Sequence, residues 1–449
     1  YGIRWIAKST SDSFGLGLGA NPMWVIFMLI FFIPQALMCA ELASAYPTDG
    51  GLNDWVKIAF GTKYGFLVSW MHWTALIFWY ASFLTFLAIN ISYMIGKPEL
   101  ADNKPFVLIM SLVVIWGLSF VSMRGMKLGK YFTSVGAFGS VIPTIFLIGM
   151  AILAVVVLKA APSASEYTVS TLTPKMNMNS LVAISGITFA YTGAEFTANF
   201  VSDMKNPQKD YPRAIMIAAG LICVLYVVGA VCMTMLLPTS EIFAYTGTLD
   251  ALAKASELLG VPQVLVQILA FGIALSVLGA LVLYIVQPVK MLFGYSEPGI
   301  FSDKFMKKNQ YDVPEKAILF QAVLITVLLA GVNLFSAVET IYNVLVTMTA
   351  LTSLFPYVLL FAAYIKIKKE KEDKPELYQM TTNKKWGCFL GYSELVICGI
   401  AIVCSALPVM STTGENIIYE IELIGGALFV LLSGLWLWKR SGLENKMGT

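Results

Sequence analysis

The sequence predicts an all-α integral membrane protein, and three observations carry that prediction. Hydrophobic residues make up 58% of the 449 positions and charged residues 13%, against about 45–50% and about 25% in soluble domains. Apolar runs recur along the chain at the length a helix needs to cross the hydrocarbon, about 20 residues. Lysine and arginine gather in alternate loops. The composition excludes a water-soluble globular domain and a disordered chain. Because the runs are continuous rather than short and alternating, an outer-membrane barrel is excluded as well.

The elements follow in order. Tyr1–Ala20 opens apolar (YGIRWIA) and turns polar and glycine-rich (KSTSDSFGLGLGA). It has no charged leader and no small-residue cleavage site, so it reads as the second half of a span rather than a signal peptide. Full-length spans are expected at 22–46, 64–95, 105–122, 128–158, 179–200, 212–237, 262–293, 316–335, 337–364, 387–410 and 417–438. With the first one truncated at residue 1, that makes twelve transmembrane helices. No inter-span stretch is long enough for a soluble domain.

The positive-inside rule orients them. With a cytoplasmic N-terminus, the loops after spans 2, 4, 6, 8 and 10 and the C-terminus carry 23 of the 30 lysines and arginines. The opposite loops carry five: Lys97, Lys104, Lys159, Lys175 and Lys254. Arg4 and Lys8 lie in the first span. Both termini are therefore expected on the cytoplasmic side. The lysine-rich stretch Lys366 to Lys374 could be a lipid- or nucleic-acid-binding patch, but Glu370, Glu372 and Asp373 interleave with it. An ordinary cytoplasmic loop is the favoured reading.

The lone histidine, His72, rules out a multi-histidine metal site or a histidine relay chain. The six cysteines sit inside or at the ends of apolar runs with no CxxC pair, so buried thiols without disulfides are expected. No cofactor is implied.

Ionisable or helix-breaking positions inside a span are expensive and mark function by default. The sharpest is span 6, Ser185-Gly-Ile-Thr-Phe-Ala-Tyr-Thr-Gly-Ala-Glu-Phe-Thr-Ala-Asn199, where Gly186, Gly193, several hydroxyls and Glu195 interrupt the helix. Gly193 lowers helix propensity by about 1 kcal/mol relative to alanine. An unwound segment would expose carbonyls that suit a substrate ammonium. A small-residue packing face explains the glycines but not Glu195. The second place is Tyr1-Gly2-Ile3-Arg4-Trp5, where amides and a buried arginine could face a carboxylate, or Arg4 could snorkel or pair with an acid. The third is Glu41, near the cytoplasmic end of span 2, for which a structural ion pair is favoured. His72 in span 3 could relay protons or, as the favoured reading, sit hydrogen-bonded at a helix interface.

These residues carry a family resemblance. Gly-Ala-Glu195 followed by Ser202-Asp-Met-Lys-Asn-Pro-Gln-Lys-Asp-Tyr-Pro-Arg-Ala214 resembles the sixth span and following loop of the amino acid–polyamine–organocation (APC) transporters, with their G-[VA]-E break and N-P-x-x-x-x-P-x-[AG] loop. Within them the chain is most similar to the bacterial glutamate/GABA antiporters. Phe31-Phe-Ile-Pro-Gln-Ala-Leu-Met-Cys-Ala-Glu41 resembles that branch's second span. Trp116-Gly-Leu with Gly125-Met-Lys127 and Gly136 resembles its next signature. The resemblance runs from span 1 to span 12.

It implies the LeuT-type fold, a 5+5 inverted repeat with helices 1 and 6 broken at the substrate. Residues 1–158 would form the first repeat, 159–364 the second, and 365–449 the last two spans and a short C-terminus. The carbonyls of Phe189 and Thr192 would hold the substrate ammonium, and the backbone at Tyr1, Gly2 and Ile3 its carboxylate. Phe189, Tyr191 and Tyr284 would stand at gating positions, Gly193 at the break, and Glu195 and Arg4 at the gating and proton-coupling site. There are departures. Ala280 stands where the glutamate/GABA antiporters carry a glutamate. Span 5 has no lysine between 131 and 158, and only residues 439–449 follow span 12, where the acid-resistance antiporters carry a long plug.

The expected function is secondary active transport of amino acids across the inner membrane of a bacterium by alternating access, as an amino-acid or amino acid/amine antiporter working as a monomer or homodimer among lipid. A proton-coupled symporter is the alternative, and a transporter-like sensor one from another class. An enzyme is not expected, since one histidine cannot support an intramembrane metal cluster. A channel is disfavoured because no filter-like segment or ring of like charges appears.

Overall fold

The computed structural model describes residues 13–46, 48, 51–124, 139, 141–175, 177–195, 204–294, 297, 299–311, 313–335, 338–370, 378–408 and 412–443. All regular structure among them is helical. After a 3-10 segment at Ser13–Gly19, α1 runs from Ala20 to Ala45. There follow α2 (Leu52–Phe60), α3 (Thr62–Met94), α4 (Lys104–Ser122) and α5 (Val141–Val157). The sixth expected span begins as α6 (Met178–Ala190), then come α7 (Pro207–Leu236) and the short amphipathic α8 (Gly247–Leu259). The chain continues with α9 (Val264–Gly294), α10 (Glu315–Phe335), α11 (Val338–Glu370), α12 (Lys384–Ser405) and α13 (Thr413–Arg440).

Among the described residues nine helices are long and apolar enough to cross a membrane, and α5 and α6 are shorter apolar helices. These eleven stand at the eleven full-length spans read from the sequence. Tyr1, Gly2, Ile3 and Arg4, in the expected first span, lie outside the described residues.

Burial sorts the helices. The apolar stretch of α3 is 89% buried, whereas those of α4 and α13 are 28% buried. The former is a hub, and the latter present stripes such as Ile109, Val113 and Phe120 to the surroundings. A globular protein in water does not expose such stripes; a helix facing lipid does.

Two large apolar cores result. One gathers around α3 and α9, with Tyr80, Leu281, Tyr284 and Phe293. The other gathers α1, α2, α6, α7 and the second half of α11, with Trp24, Phe31, Tyr191, Tyr226 and Phe361. Helix α11 belongs to both: Tyr342 and Leu345 enter the first core, Leu354 through Ile367 the second. Proline marks its middle, at Pro356, and falls nearer an end in two other long helices, at Pro212 toward the start of α7 and at Pro288 toward the end of α9. In α1 the wide π-turn Met28–Phe32 precedes Pro34, and the Ile33 amide reaches back to the Met28 carbonyl. Proline cannot donate to the carbonyl four residues earlier and its ring crowds it, so the extra-wide turn relieves both demands.

Candidate functional site

The helix of span 6 stops where the glycine and hydroxyl pattern predicts. Helix α6 ends at Ala190, residues 192 and 193 are non-helical, and helical geometry resumes at 194 and 195. Gly193 adopts φ 111°, a backbone conformation that a side chain disfavours. The other glycine distinguishes the two readings of this segment. A Cβ placed on Gly186 would meet no atom within 4 Å, so Gly186 does not mark a close helix contact.

Local bonds hold the break open. The Thr192 amide and hydroxyl both donate to the Phe189 carbonyl, at 2.9 and 2.6 Å. That carbonyl, one of the two expected to bind a substrate ammonium, thus has both lone pairs engaged by the chain itself. The Tyr191 hydroxyl donates to the Trp24 carbonyl of α1 at 2.8 Å. Its ring meets Trp24 edge-on at 5.4 Å, and Trp24 stacks on Tyr226 of α7 with centroids 4.1 Å apart. Tyr191 is therefore anchored to α1 and α7. Phe189, half-buried, turns instead toward the core that contains Tyr284.

Glu195 closes the far side of the break. It is 3% exposed, and its two oxygens have separate donors. The Tyr357 hydroxyl of α11 donates to Oε1 at 2.5 Å, and the Gly193 amide donates to Oε2 at 3.2 Å. The same amide donates to the Tyr357 hydroxyl oxygen at 2.8 Å, so the three groups form a closed ring. Tyr211 of α7 adds a bond to the Ala194 carbonyl at 3.1 Å. The loose ends of a broken helix are satisfied by side chains from other helices, as they must be at membrane depth.

Tyr357 was not foreseen from the sequence. Its signal there is a phenol directly after the mid-span Pro356. Tyr284 is fully buried against Trp79 with centroids 4.9 Å apart, and its carbonyl accepts from Tyr80. It belongs to the other core, so the structure does not bring it to Glu195. Ala280, one turn before it, is fully buried and offers no carboxylate. His72 lies half-buried on α3, next to Trp73, which bonds Gln321 of α10.

Glu41 has the ion pair favoured for it. Lys368 of α11 approaches Oε1 at 2.6 Å, both residues being 5% exposed. The Tyr364 hydroxyl and the Met380 amide donate to Oε2 at 3.0 and 3.1 Å, and Lys368 also donates to the Thr381 carbonyl at 2.8 Å. This ties α1, α11 and the loop before α12 together. In that loop, burial and the nearby Glu41 push the Tyr378 phenol up to about 12. A Cβ on Gly387 of α12 would lie 2.9 Å from the Lys368 side chain, so glycine is what lets α12 approach.

Comparison with known proteins identifies the architecture. The sequence profile of the family described as Amino acid permease matches residues 1–429. The chain belongs to the amino acid permease family. This permease is 31% identical over 424 residues to the uncharacterized transporter lpg1691 of Legionella pneumophila, covering 94% of this chain and 90% of the relative. It is 23% identical over 443 residues to a probable agmatine/putrescine antiporter, AguD, of Lactococcus lactis, covering 98% and 92%. It is 24% identical over 385 residues to a glutamate/gamma-aminobutyrate antiporter of Lactococcus lactis, covering 84% and 74%. The permease is thus an APC-type, multi-span helical membrane protein of a family of transporters with antiporters among its relatives.

Proposed function

We propose that this permease exchanges an amino acid, or an amino acid against an amine, across the inner membrane of a bacterium by alternating access at the 191–193 break. One observation carries the reading. The break lies at the seam between the two apolar cores, with Phe189 packed toward one and Tyr191, Ala194 and Glu195 set among the helices of the other. A ligand held at such a seam feels any movement of one core against the other, which alternating access requires.

In this proposal the substrate ammonium displaces the Thr192 hydroxyl from the Phe189 carbonyl and also meets the Thr192 carbonyl. Tyr1, Gly2 and Ile3 supply backbone to the carboxylate, with Arg4 nearby. Phe189 gates on the side of Tyr284. Relatives named for agmatine/putrescine and glutamate/gamma-aminobutyrate support exchange as the mode. The buried Glu195–Tyr357–Gly193 ring favours a second mode, proton-coupled symport with Glu195 carrying the proton. Ala280 in place of a glutamate argues for a substrate pair other than glutamate and GABA. The 23-to-5 charge asymmetry supports a cytoplasmic position for both termini.

Counterflow in proteoliposomes tests the reading. One labelled amino acid is offered outside against a panel of amino acids and amines loaded inside. Uptake that needs internal substrate establishes exchange, and uptake into empty vesicles driven by an imposed proton gradient establishes symport. Binding of panel members without flux of either kind defeats transport and leaves a sensor. Cysteine labelling at Lys366–Lys385 only after permeabilisation checks the topology; labelling there in intact cells overturns it.

A further inference from the structure

A third acid lies inside the protein, and the transport site described above does not use it. Glu394 stands near the middle of α12, between Gly391 and Cys398 on a stripe that recurs every three to four residues and is buried. The opposite stripe, with Phe389, Val396, Ile400 and Val403, is more than half exposed and faces lipid. Helical periodicity therefore turns Glu394 into the protein. It is 0% exposed, and among the described residues neither of its oxygens has a hydrogen-bond partner. A buried ionisable group in a span is a functional position by default.

Its surroundings lead to Glu195. Helix α12 packs along α6, α11 and α1. From α1, the Cys39 thiol lies within electrostatic range of both Glu394 and Glu195. Gln35, one turn earlier on α1, is 0% exposed with neither side-chain amide atom partnered. One turn along α12, the Cys398 thiol is within range of Glu394 and donates to the Leu354 carbonyl of α11 at 3.3 Å. Leu354 stands one turn before Tyr357, which holds Glu195. The cation on this part of α11, Lys368, is committed to Glu41 and Thr381. Among the described residues, the titratable groups within electrostatic range of Glu394 are thus the Cys39 and Cys398 thiols, Cys39 being shared with Glu195, and no cation bonds either Glu394 oxygen.

A carboxyl among such neighbours exchanges its proton only when water or a donor reaches it, because an unpaired ion in a dry interior is costly. Its proton occupancy is then tied to the movement of the helices around it. We propose that Glu394 is a second proton-binding site of the permease, coupled to Glu195 across Cys39, and that it is loaded and emptied as α12 and α6 rearrange. The step is a proton transfer alone: the carboxylate takes a proton from water or from Glu195 and returns it. The role in the cycle rests on the transport reading; the proton site itself does not.

Infrared difference spectroscopy of the carboxyl stretch, on purified substrate-free protein stepped between acid and mildly alkaline pH, reads the site directly. Among the carboxyl signals of the wild type, two are expected to belong to Glu195 and Glu394. E394Q should remove one of them and shift the other, and E195Q should do the converse. Proton uptake per protein on acidification should fall by one in E394Q. If E394Q does not fold, E394D should move the signal rather than delete it. Difference spectra and proton counts unchanged in E394Q, or an unmoved signal in E394D, overturn the proposal. Counterflow on the same samples keeps the two readings apart. Wild-type exchange with a silent Glu394 sinks the second proton site, whereas a titrating Glu394 in a protein that moves no substrate sinks the transport role.

Discussion

Glu41 and Glu195 are both 5% exposed or less, both sit on helices of the same apolar core, and both bond a tyrosine of α11. They differ in charge balance. Glu41 has a lysine at 2.6 Å and two further donors, so its negative charge is matched in place. Among the described residues, the donors to Glu195 are a phenol and backbone amide, with no cation in its ring of bonds. A matched buried pair is costly to break and keeps a single geometry. A carboxyl held by neutral donors can lose or gain a proton with the same partners in place. The difference separates a clamp from a switch. Glu41–Lys368 fixes the C-terminal end of α1 to α11, and Glu195–Tyr357 stands where the helix is broken, at the site proposed for the substrate.

The largest expected effect comes from unbalancing the clamp. Lys368→Met leaves Glu41 as a buried unpaired charge and should lower unfolding stability by about 3–5 kcal/mol. Denaturant melts of the detergent-purified protein measure it, and the Glu41→Gln/Lys368→Met double variant should recover much of the loss. A single variant as stable as the wild type would show that the pair is no clamp.

Tyr357→Phe is expected to cost less, about 1.5–3 kcal/mol for one hydrogen bond if the carboxylate is ionised. It should also change the pH dependence of exchange, which Tyr364→Phe at the clamp should leave alone. Equal pH profiles in the two phenylalanine variants would erase the distinction drawn here.

A side chain at Gly193 meets its positive φ, a strain of about 1–2 kcal/mol in stability. Gly193→Leu should nevertheless weaken substrate binding by more than about tenfold, equivalent to about 1.4 kcal/mol. Scintillation proximity binding on monodisperse protein decides this, and wild-type affinity would remove the break from the substrate site.

The smallest stability change is expected from Glu195→Gln, which keeps the shape and mimics the neutral acid. Exchange rates measured across acid to neutral pH should flatten in this variant while some exchange survives. A profile superimposable on the wild type would mean that Glu195 only bonds its neighbouring backbone.

Much of this was legible in one dimension because the membrane is an unforgiving solvent. A helix must be about 20 apolar residues long to cross it, charge must stay out of it, and lysine marks the cytoplasmic side. Span positions, the break near Gly193 and the exceptional status of Glu195 and Glu41 follow from those rules, read locally. Tyr357 and Lys368 escaped notice because a phenol or a helix-terminal lysine breaks no rule by itself. Glu394 does carry a signal, an acid in the middle of an apolar span, but one weaker than that of the glycine-flanked Glu195.

Residue types and their spacing are enough to give the membrane class, the order of the spans and the place where a helix must break, since each rests on the transfer of a residue's own surface out of water. The packing of the helices sets which acid is balanced by a cation, which by neutral donors and which, among the described residues, by none. It also decided that the Phe189 carbonyl is engaged by Thr192, and that Tyr191 is anchored to α1 while Phe189 turns toward the opposite core. Those outcomes depend on which helices meet, across separations of more than 150 residues for Glu195 with Tyr357 and more than 300 for Glu41 with Lys368. No local pattern encodes such meetings, because a hydrogen bond needs its partner within about 3 Å in space and places no condition on distance along the chain.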